Sequence, residues 1–324
     1  MIVAHNFKNI TLRHLALILI IFFGLSQTAS PENISSTHNI LSDTIRLKSD
    51  LKIITKTANS RNYRNIQTLN FVADYIFNEL SKNCDTVYYQ SYYVNGVEYK
   101  NVIGSIGIDK QERIVIGAHY DVCGDQEGAD DNASGVAGVL ELSRLLSKEK
   151  LSSRIDFVAY SLEEPPFFRT EHMGSNIHAK MLSENQAKLK GMICLEMIGY
   201  FNDKPKSQSY PIGFLSLFYG NKGDYITIVQ KFGNGTFGSQ VNKLMKKQRL
   251  IRTKSFIAPS KLPGVDFSDH QNYWKYGYSA VMITNTAFYR NRNYHEKTDK
   301  METLDLKRMA LVIDEVLLTI RKLK

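Results

Sequence analysis

The sequence predicts an α/β fold, a three-layer sandwich with a mostly parallel, mixed central sheet in a single domain. Two observations predict it. Short apolar runs such as 114–116 and 280–284 have the length and composition of buried strands. Segments with apolar residues at helical spacing lie between them, and this alternation is typical of helices that cover both faces of a sheet. The chain has 324 residues, 43% of them hydrophobic, which suits one large domain.

Residues 1–26 have the layout of a signal peptide. Lys8 and Arg13 precede an apolar run over 15–25, and small polar residues follow. The run is shorter than the ~20 residues that a membrane span needs. We therefore expect an exported protein, periplasmic or extracellular, cleaved at about residues 25–30 and not stably inserted in a membrane afterwards. An uncleaved N-terminal anchor is the alternative.

Residues 27–62 are polar with scattered apolar positions, and we expect them to form an N-terminal arm with a helix on the surface of a domain over 63–324. That domain opens with apolar residues at helical spacing over 63–80, which predict an amphipathic helix. The pattern is weakest over 201–260. The predicted strands are 87–94, 99–108, 114–116, 155–162, 191–195, 225–229 and 280–284. The other predicted helices are 133–146, 173–189, 239–248 and 303–323.

Charge and cysteine content narrow the class of protein. The net charge is +9, but the basic residues are scattered, and the densest group, 243–252, looks like one helix face. No nucleic-acid-binding module is evident, so we expect no nucleic-acid partner. Cys84, Cys123 and Cys194 form no paired framework and no CxxC motif. At most one disulfide is possible, and we do not expect cysteine to hold zinc.

The stretch 113–141 carries the first polar cluster. A strand ends there and a helix follows, with Asn132 or Ser134 available as its N-cap. In open α/β sheets this edge is where ligands bind. Asp121 can fix a metal-binding imidazole by accepting its other ring N–H, and Asp131 could hold a cation. A polar loop with a capping Asp is the alternative. The cluster consists of His119, Asp121, Asp125, Asp130 and Asp131.

Carboxylates also follow two later strands. Glu163 and Glu164 come after the strand predicted at 155–162, and Glu196 comes after the one at 191–195. Adjacent carboxylates at a strand end can point in different directions, one onto a metal and the other toward the substrate as a proton carrier. A solvent-exposed acidic turn is the alternative interpretation of the pair.

Two imidazoles and three carboxylates form a candidate metal-binding set. Four of them follow predicted strands, and His295 lies in a polar loop after the last strand. This mixture suits zinc, whose usual protein ligands are His nitrogen and carboxylate oxygen. Five ligands are too many for one tetrahedral catalytic zinc that keeps a water, but they suit two metals that share a bridging carboxylate. The set is His119, Asp131, Glu164, Glu196 and His295.

Six segments, in order, carry a resemblance to a known family. They are GAHYD, GADDNASG, SLEEP, CLEMIGY, SDHQNYW and NYHEKTD, between about Tyr63 and the C-terminus. The chain resembles the di-zinc exopeptidases that include bacterial leucyl aminopeptidases, glutamate carboxypeptidase and glutaminyl cyclases. The resemblance implies a zinc-dependent enzyme that acts on peptides, most simply an aminopeptidase.

The resemblance also implies a role for each residue of the site. Glu163 is the implied general base, which takes a proton from a water polarised by two zinc ions and passes it to the leaving amine. Asp121 is the implied partner of His119 outside the metal ligands. The implied ligands are His119 and Glu196 for one zinc, Glu164 and His295 for the other, and Asp131 as the bridge.

The sequence departs from the family pattern at two places. Many members have Asp where this chain has Glu196, but Glu is still a hard oxygen donor, so we expect the metal to bind. PPFFRTEHMGS replaces the familiar sequence after the paired glutamates and could reshape the substrate pocket. We expect no inserted lid domain, because the chain has too few residues between its strands.

Two other functions are compatible with the same segments. A glutaminyl cyclase-like acyltransferase with one zinc would need only Asp131, Glu164 and His295, so the presence of His119 and Glu196 argues against it. A non-catalytic binding protein on this fold would be expected to lose ligands or the base, and none is missing.

His270 lies in SDHQNYW, at the start of a predicted helix. We interpret it as a residue of the substrate pocket wall and not as a metal ligand. An N-capping Asp269 beside a partly buried histidine is the alternative.

Overall fold

A computed structural model of the protein describes residues 40–323, which are built around one mixed sheet. The sheet has eight strands in the order β1-β2-β4-β3-β5-β8-β6-β7. The pairs β3/β4, β3/β5, β5/β8 and β6/β7 are parallel, and β1/β2, β2/β4 and β6/β8 are antiparallel. The strands are β1 Thr86–Val94, β2 Val97–Ile106, β3 Arg113–His119, β4 Arg154–Tyr160, β5 Leu189–Glu196, β6 Ile226–Lys231, β7 Thr253–Ala258 and β8 Ala280–Thr284.

The helices of the described chain lie between these strands and flank them. They are α1 Thr44–Thr55, α2 Ile66–Ser81, α3 Gly135–Leu146, α4 Gly174–Glu184, α5 Ser216–Tyr219, α6 Gly235–Gln248, α7 His270–Lys275 and α8 Leu306–Ile320. A π-helical turn, Ala129–Ser134, leads into α3. Among residues 40–323, no helix combines the length and the apolar composition that a membrane span requires.

Two apolar cores lie on opposite faces of the sheet. In β3, Ile114 and Ile116 face the core formed with α1, α2, α3, α6 and α8, whereas Val115 faces the core formed with α4 and α7. Successive strand residues point to opposite faces, so a strand covered on both sides must be apolar throughout, as this run is. The arrangement confirms the predicted three-layer α/β fold.

Helix α1 lies within residues 27–62, where a surface arm with a helix was expected. Its Leu47, Leu51 and Ile54 are fully buried and belong to the main core. The reason is their spacing, which places three apolar side chains on one helix face that must be covered. The helix expected in this region is therefore present, and residues 44–55 pack against the domain through this apolar face. The predicted leader and its cleavage site lie outside the described residues.

One element boundary and one strand also differ from the prediction. The helix expected over 173–189 ends at Glu184, because Leu189 already begins β5. Strand β7 lies in the region of weakest pattern and was not predicted. It is a strand at the sheet edge with mostly half-buried residues, so it shows neither a buried apolar run nor a clean alternation. The other predicted strands and helices are present within a few residues of their expected ends.

Candidate metal centre

Parallel strands bring three parts of the predicted site to one edge of the sheet. His119 is the last residue of β3 and Glu196 is the last residue of β5. Glu163 and Glu164 follow β4 after two residues. Since β4, β3 and β5 are parallel neighbours, their carboxyl ends meet, and the side chains that follow them converge.

Loops supply the other two predicted ligands. Asp131 lies in the π-helical turn before α3, and its side chain is 2% exposed. His295 lies in the loop after β8, where its backbone has a φ of 58°. Its side chain is 27% exposed, far more than the 1% of His119. The site is therefore closed on the sheet side and open on the loop side.

Asp131 stands between the two imidazoles. Its Oδ1 lies 3.3 Å from His119 Nε2, and its Oδ2 lies 3.2 Å from His295 Nε2. Glu196 Oε2 lies 3.4 Å from His119 Nε2, and Glu164 Oε2 lies 3.2 Å from His295 Nε2. We call His119, Asp131 and Glu196 the inner half-site, and His295, Asp131 and Glu164 the outer half-site. The structure thus brings together all five predicted ligands, in two groups that share Asp131.

The donor atoms of the outer half-site fit a metal ion. Asp131 Oδ2, Glu164 Oε1 and His295 Nε2 are buried and have no hydrogen-bond partner. Leaving such atoms unpaired in a protein interior is costly unless something binds them. Imidazole nitrogen and carboxylate oxygen are donors that a divalent ion such as zinc accepts. His119, Asp131 and Glu196 also place their donor atoms within 4.8 Å of one another.

The electrostatics of the centre also favour a bound cation. Burial raises the pKa of Glu163 well above its ordinary value and raises the pKa of Glu164 to about 7. Burial would lower the pKa of His119, but the carboxylates of Glu196 and Glu163 outweigh it and raise that pKa well above its usual value. Burial would raise the pKa of Asp131, yet the two imidazoles beside it lower it. The carboxylates thus stabilise positive charge on the imidazoles, as they would on a cation bound between them.

Asp121 orients the paired glutamates. Its Oδ1 accepts the backbone N–H of Glu163 and its Oδ2 accepts that of Glu164, each at 3.1 Å. Its relation to His119 is less direct than the sequence suggested, because His119 Nδ1 lies 3.2 Å from the Asp121 carbonyl oxygen and 3.6 Å from its carboxylate. Glu163 itself is 6% exposed, and its Oε2 lies 3.8 Å from His119 Nε2.

A buried arginine that the sequence analysis did not identify holds the loop between two ligands. The Arg61 guanidinium is almost fully buried and donates to the carbonyl oxygens of Tyr120, Glu127 and Gly128. These carbonyls lie between His119 and Asp131 in the chain. Arg61 precedes the six family-like segments, in a stretch without apolar periodicity, so no sequence signal pointed to it.

Two further carboxylates stabilise the loop that carries Asp131. Asp299 accepts the backbone N–H groups of Asp130 and Asp131 at 2.9 and 3.0 Å. Asp130 is fully buried and accepts from the side chains of Asn285 and Asn291, each at 2.8 Å. Both aspartates lie in segments that carry the family resemblance, GADDNASG and NYHEKTD. Asp130 was already part of the polar cluster identified from the sequence, and the position of Asp299 in NYHEKTD was the signal that could have identified it.

Glu196 is held by two donors. Ser268 Oγ donates to its Oε2 at 2.6 Å, and Asn132 Nδ2 donates to the same oxygen at 3.2 Å. Asn132 Oδ1 also accepts the backbone N–H of Gly135 at the start of α3, which is the capping contact expected for Asn132 or Ser134. The longer side chain at position 196 is therefore held through its Oε2.

His270 does not line a pocket wall, contrary to the prediction. It is fully buried, its Nε2 donates to the carbonyl of Val265 at 2.7 Å, and its ring packs edge-on against Trp274 with centroids 4.5 Å apart. The cause is α7, which packs on the sheet and turns this side chain into the second core. The alternative is also incorrect in part, since Asp269 makes no capping hydrogen bond.

A cavity adjoins the inner half-site at Glu196. Its walls come largely from 208–229 and 256–289, so the region of weakest sequence pattern forms much of them. Phe168, in the segment that departs from the family pattern, packs against the lining residue Phe267 with ring centroids 5.9 Å apart. Most of the lining side chains are apolar or aromatic, among them Leu215, Tyr219, Val229, Phe256, Phe267, Met282 and Phe288.

Comparison of the sequence with known proteins gives both a family and relatives. The family described as Peptidase family M28 matches residues 101–320. The Escherichia coli protein YfbL is 41% identical over 280 residues, which cover 84% of this chain and 86% of YfbL. Leucine aminopeptidase 1 of Ajellomyces capsulatus is 23% identical over 223 residues, which cover 64% of this chain. This chain spans only 52% of that protein's length.

Solved structures share the fold. LapB from Legionella pneumophila has a TM-score of 0.68 at 21% identity, covering 90% of this chain and 76% of LapB. A Bacteroides thetaiotaomicron glutaminyl cyclase bound to N-acetylhistamine has a TM-score of 0.65 at 18% identity, covering 88% of this chain and 100% of the cyclase. At these identities the likeness shows the fold alone, and it agrees with the sheet and helices described above.

Proposed function

The chain belongs to peptidase family M28, as the six sequence segments predicted, and we propose that it is an aminopeptidase with two zinc ions. The observation that carries this proposal is the position of Asp131, with one carboxylate oxygen beside each imidazole. A carboxylate shared in this way is what a two-metal hydrolase requires. The inner and outer half-sites would each hold one ion through their three protein ligands.

The reaction proposed is hydrolysis of the first peptide bond of a peptide. When bound, the zinc ions would lower the pKa of a water and polarise the scissile carbonyl. The Glu163 carboxylate accepts a proton from that water and donates it to the leaving amine. Its burial raises its pKa, so it can hold the proton between these two transfers. Asp121 keeps Glu163 in place through the backbone hydrogen bond.

The cavity beside Glu196 supports a preference for large apolar side chains. Its aromatic and aliphatic lining offers little to a charged group, whereas burial of an apolar side chain contributes about 25 cal/mol per Å². Because Glu196 links the cavity to the inner half-site, a side chain seated there would place its own peptide bond near Glu163. We therefore expect leucine, methionine or phenylalanine at the substrate N-terminus.

The alternative is a glutaminyl cyclase with one zinc, which would use the outer half-site alone. The fold of the Bacteroides enzyme is compatible with it. The complete inner half-site argues for hydrolysis instead, because a single-zinc enzyme has no use for a second buried set of three ligands. A non-catalytic binding protein would not need Glu163 beside both half-sites.

One assay series tests the proposal. The purified full chain is given leucyl- and phenylalanyl-anilides, the N-acetylated forms of both, aspartyl-anilide, and a peptide with N-terminal glutamine. We expect rapid hydrolysis of the free leucyl and phenylalanyl substrates, loss after chelation, and recovery with zinc. The blocked forms serve as matched controls and should resist. Release of ammonia from the glutaminyl peptide without anilide hydrolysis would identify the cyclase and overturn the proposal.

A further inference from the structure

A cysteine thiol lies beside the outer half-site, and we propose that Cys123 is an additional ligand of the metal ion bound there. The inference rests on the metal occupancy proposed above. It revises the expectation from sequence that cysteine holds no metal, which considered only paired cysteines. Cys123 lies four residues after His119, in the loop that follows β3.

The first support is geometric. The Cys123 Sγ, one Glu164 carboxylate oxygen and one His295 ring nitrogen all lie within 4.8 Å of one another. Zinc holds sulfur at about 2.3 Å and nitrogen or oxygen at about 2.0–2.2 Å, so three such donors can meet on one ion with small side-chain adjustments.

The second support is independent of the cysteine. Glu164 is 4% exposed, and its Oε1 is buried without a hydrogen-bond partner. The ring nitrogen Nε2 of His295 is in the same state. Glu164 and His295, the two residues that cluster with the thiol, therefore each carry a buried donor atom without a hydrogen-bond partner, which points to a bound ion between them.

The loop that carries the thiol is fixed on both sides. Before Cys123, the Val122 N–H donates to the Arg61 carbonyl oxygen at 3.2 Å. After it, Asn62 Nδ2 donates to the Gly124 carbonyl oxygen at 2.8 Å. Arg61 also holds the Tyr120 carbonyl at 2.7 Å. These contacts fix the backbone on both sides of Cys123.

The other two cysteines have different surroundings. Cys194 is buried, with its Sγ 3.2 Å from Ser268 Oγ, and Cys84 packs against Gly104 and is not part of a cluster of metal ligands among the described residues. Cys123 is partly exposed and contributes to neither apolar core, so packing does not account for a thiol at this position.

The ligand would make the two metal positions chemically different. The outer ion would gain a soft sulfur donor, with the thiol proton released to solvent on binding. The inner ion would have only nitrogen and oxygen ligands. Thiolate favours zinc, cobalt and cadmium over manganese and magnesium, so the outer position would discriminate against the hard ions more strongly.

Cobalt spectroscopy tests the assignment without relying on activity. The full chain is freed of metal with chelator and loaded with two equivalents of cobalt(II) chloride. We expect visible absorption from the bound cobalt together with an intense near-ultraviolet sulfur-to-cobalt band. In Cys123→Ser the near-ultraviolet band should be lost while the visible absorption remains. Cys84→Ser is the matched control and should keep both.

Two results would overturn the inference while leaving the proposed function intact. One is visible cobalt absorption in the natural chain without a sulfur band, and the other is a sulfur band that persists in Cys123→Ser. A chain that binds neither cobalt nor zinc would overturn the metal centre and this inference together.

A measurement on the natural chain covers the case in which Cys123→Ser does not fold. Alkylation by iodoacetamide is followed by peptide mass mapping with and without bound zinc. Zinc should protect Cys123 and leave the reaction of Cys84 unchanged. Equal alkylation of Cys123 in both states would contradict coordination.

Discussion

The inner and outer half-sites share Asp131 but are built from different parts of the molecule. The inner one uses His119 and Glu196, the last residues of two neighbouring parallel strands, and His119 is 1% exposed. The outer one uses His295, from a loop after β8, which is 27% exposed. With the two ions proposed above, the sheet would fix the inner ion, whereas the loops would leave the outer ion more open to solvent. We therefore expect the outer ion to exchange first with a chelator.

Removing each histidine should break the two half-sites separately, and this is the largest effect we predict. His119→Ala and His295→Ala should each bind one zinc ion instead of two and lose most of their activity. His119→Ala should also unfold at lower temperature, because it leaves buried carboxylates uncompensated, a change that costs ~3–5 kcal/mol when one partner of a buried pair is lost. Metal analysis and thermal unfolding measure both effects.

His172→Ala is the matched control for this pair. His172 is partly exposed and is not in a cluster of possible metal ligands among residues 40–323. It should keep two ions and its activity. Equal loss of stability in the His119 and His295 variants would contradict the difference between the half-sites.

The paired glutamates should separate proton transfer from metal binding. Glu163→Gln keeps the size of the side chain but cannot take a proton at neutral pH, so kcat should fall by ~10²–10⁴-fold with zinc content unchanged. KM should change little if ground-state binding survives. Glu164→Ala should instead lose the outer ion. Steady-state kinetics and metal analysis on both variants distinguish proton transfer from metal binding.

The opposite pattern would reverse the two roles. If Glu163→Gln lost zinc while Glu164→Ala retained it, Glu163 would be the ligand. Full activity in Glu163→Gln would remove it from the mechanism altogether.

Asp121→Asn should weaken both half-sites, and the inner one more. The carboxylate accepts from the backbone of Glu163 and Glu164 and also lies near the His119 ring. Loss of such a group beside metal ligands typically costs about 10–100-fold in affinity or activity. Zinc titration with a competing chelator measures the change. Asp125→Asn, at an exposed position of the same loop, is the control and should bind as the natural chain does.

Ser268→Ala should give the smallest effect and only at the inner half-site. It removes the 2.6 Å hydrogen bond to Glu196 Oε2 but leaves that of Asn132. One hydrogen bond is worth about 0.5–1.5 kcal/mol, so the inner affinity should fall several-fold. The same chelator competition measures it, with Ser91→Ala on the exposed part of β1 as control. A larger loss at the outer ion would contradict the assignment of Ser268 to the inner half-site.

The residues of the candidate site could be predicted because local patterns determine where they lie. His119, Glu163, Glu164 and Glu196 each follow a buried apolar run, and parallel strands must end at the same edge of a sheet. His295 lacks such a strand and was included as the second imidazole, in the polar loop after the last strand, before the family-like segment NYHEKTD supported it. The sheet-built half of the centre is thus the half that elementary rules predict best.

The supporting residues could not be predicted in the same way. Arg61 contacts carbonyl groups about 60 residues away in the chain. Because every residue has a backbone carbonyl, the types of the partner residues do not indicate such a hydrogen bond. His270 shows the reverse error, since a polar residue beside a helix start looks exposed until the packing of α7 is known. Tertiary contacts decide both positions.

The pocket region shows a similar limit. Strand β7 lies within 201–260, and part of the cavity lining comes from the same region. Apolar residues there line the cavity as well as the core. Apolar periodicity in a sequence reflects burial of one face of an element against the sheet. Apolar side chains that line a cavity interrupt this periodicity and produce no regular pattern of their own.

Native mass spectrometry of the chelator-treated chain during zinc titration tests the central claim most directly. We predict two zinc ions per chain, bound in two resolvable steps, with His295→Ala keeping the tighter step and His119→Ala losing it. A single zinc per chain that survives in His119→Ala would contradict the claim, because it would show that only the outer half-site binds metal.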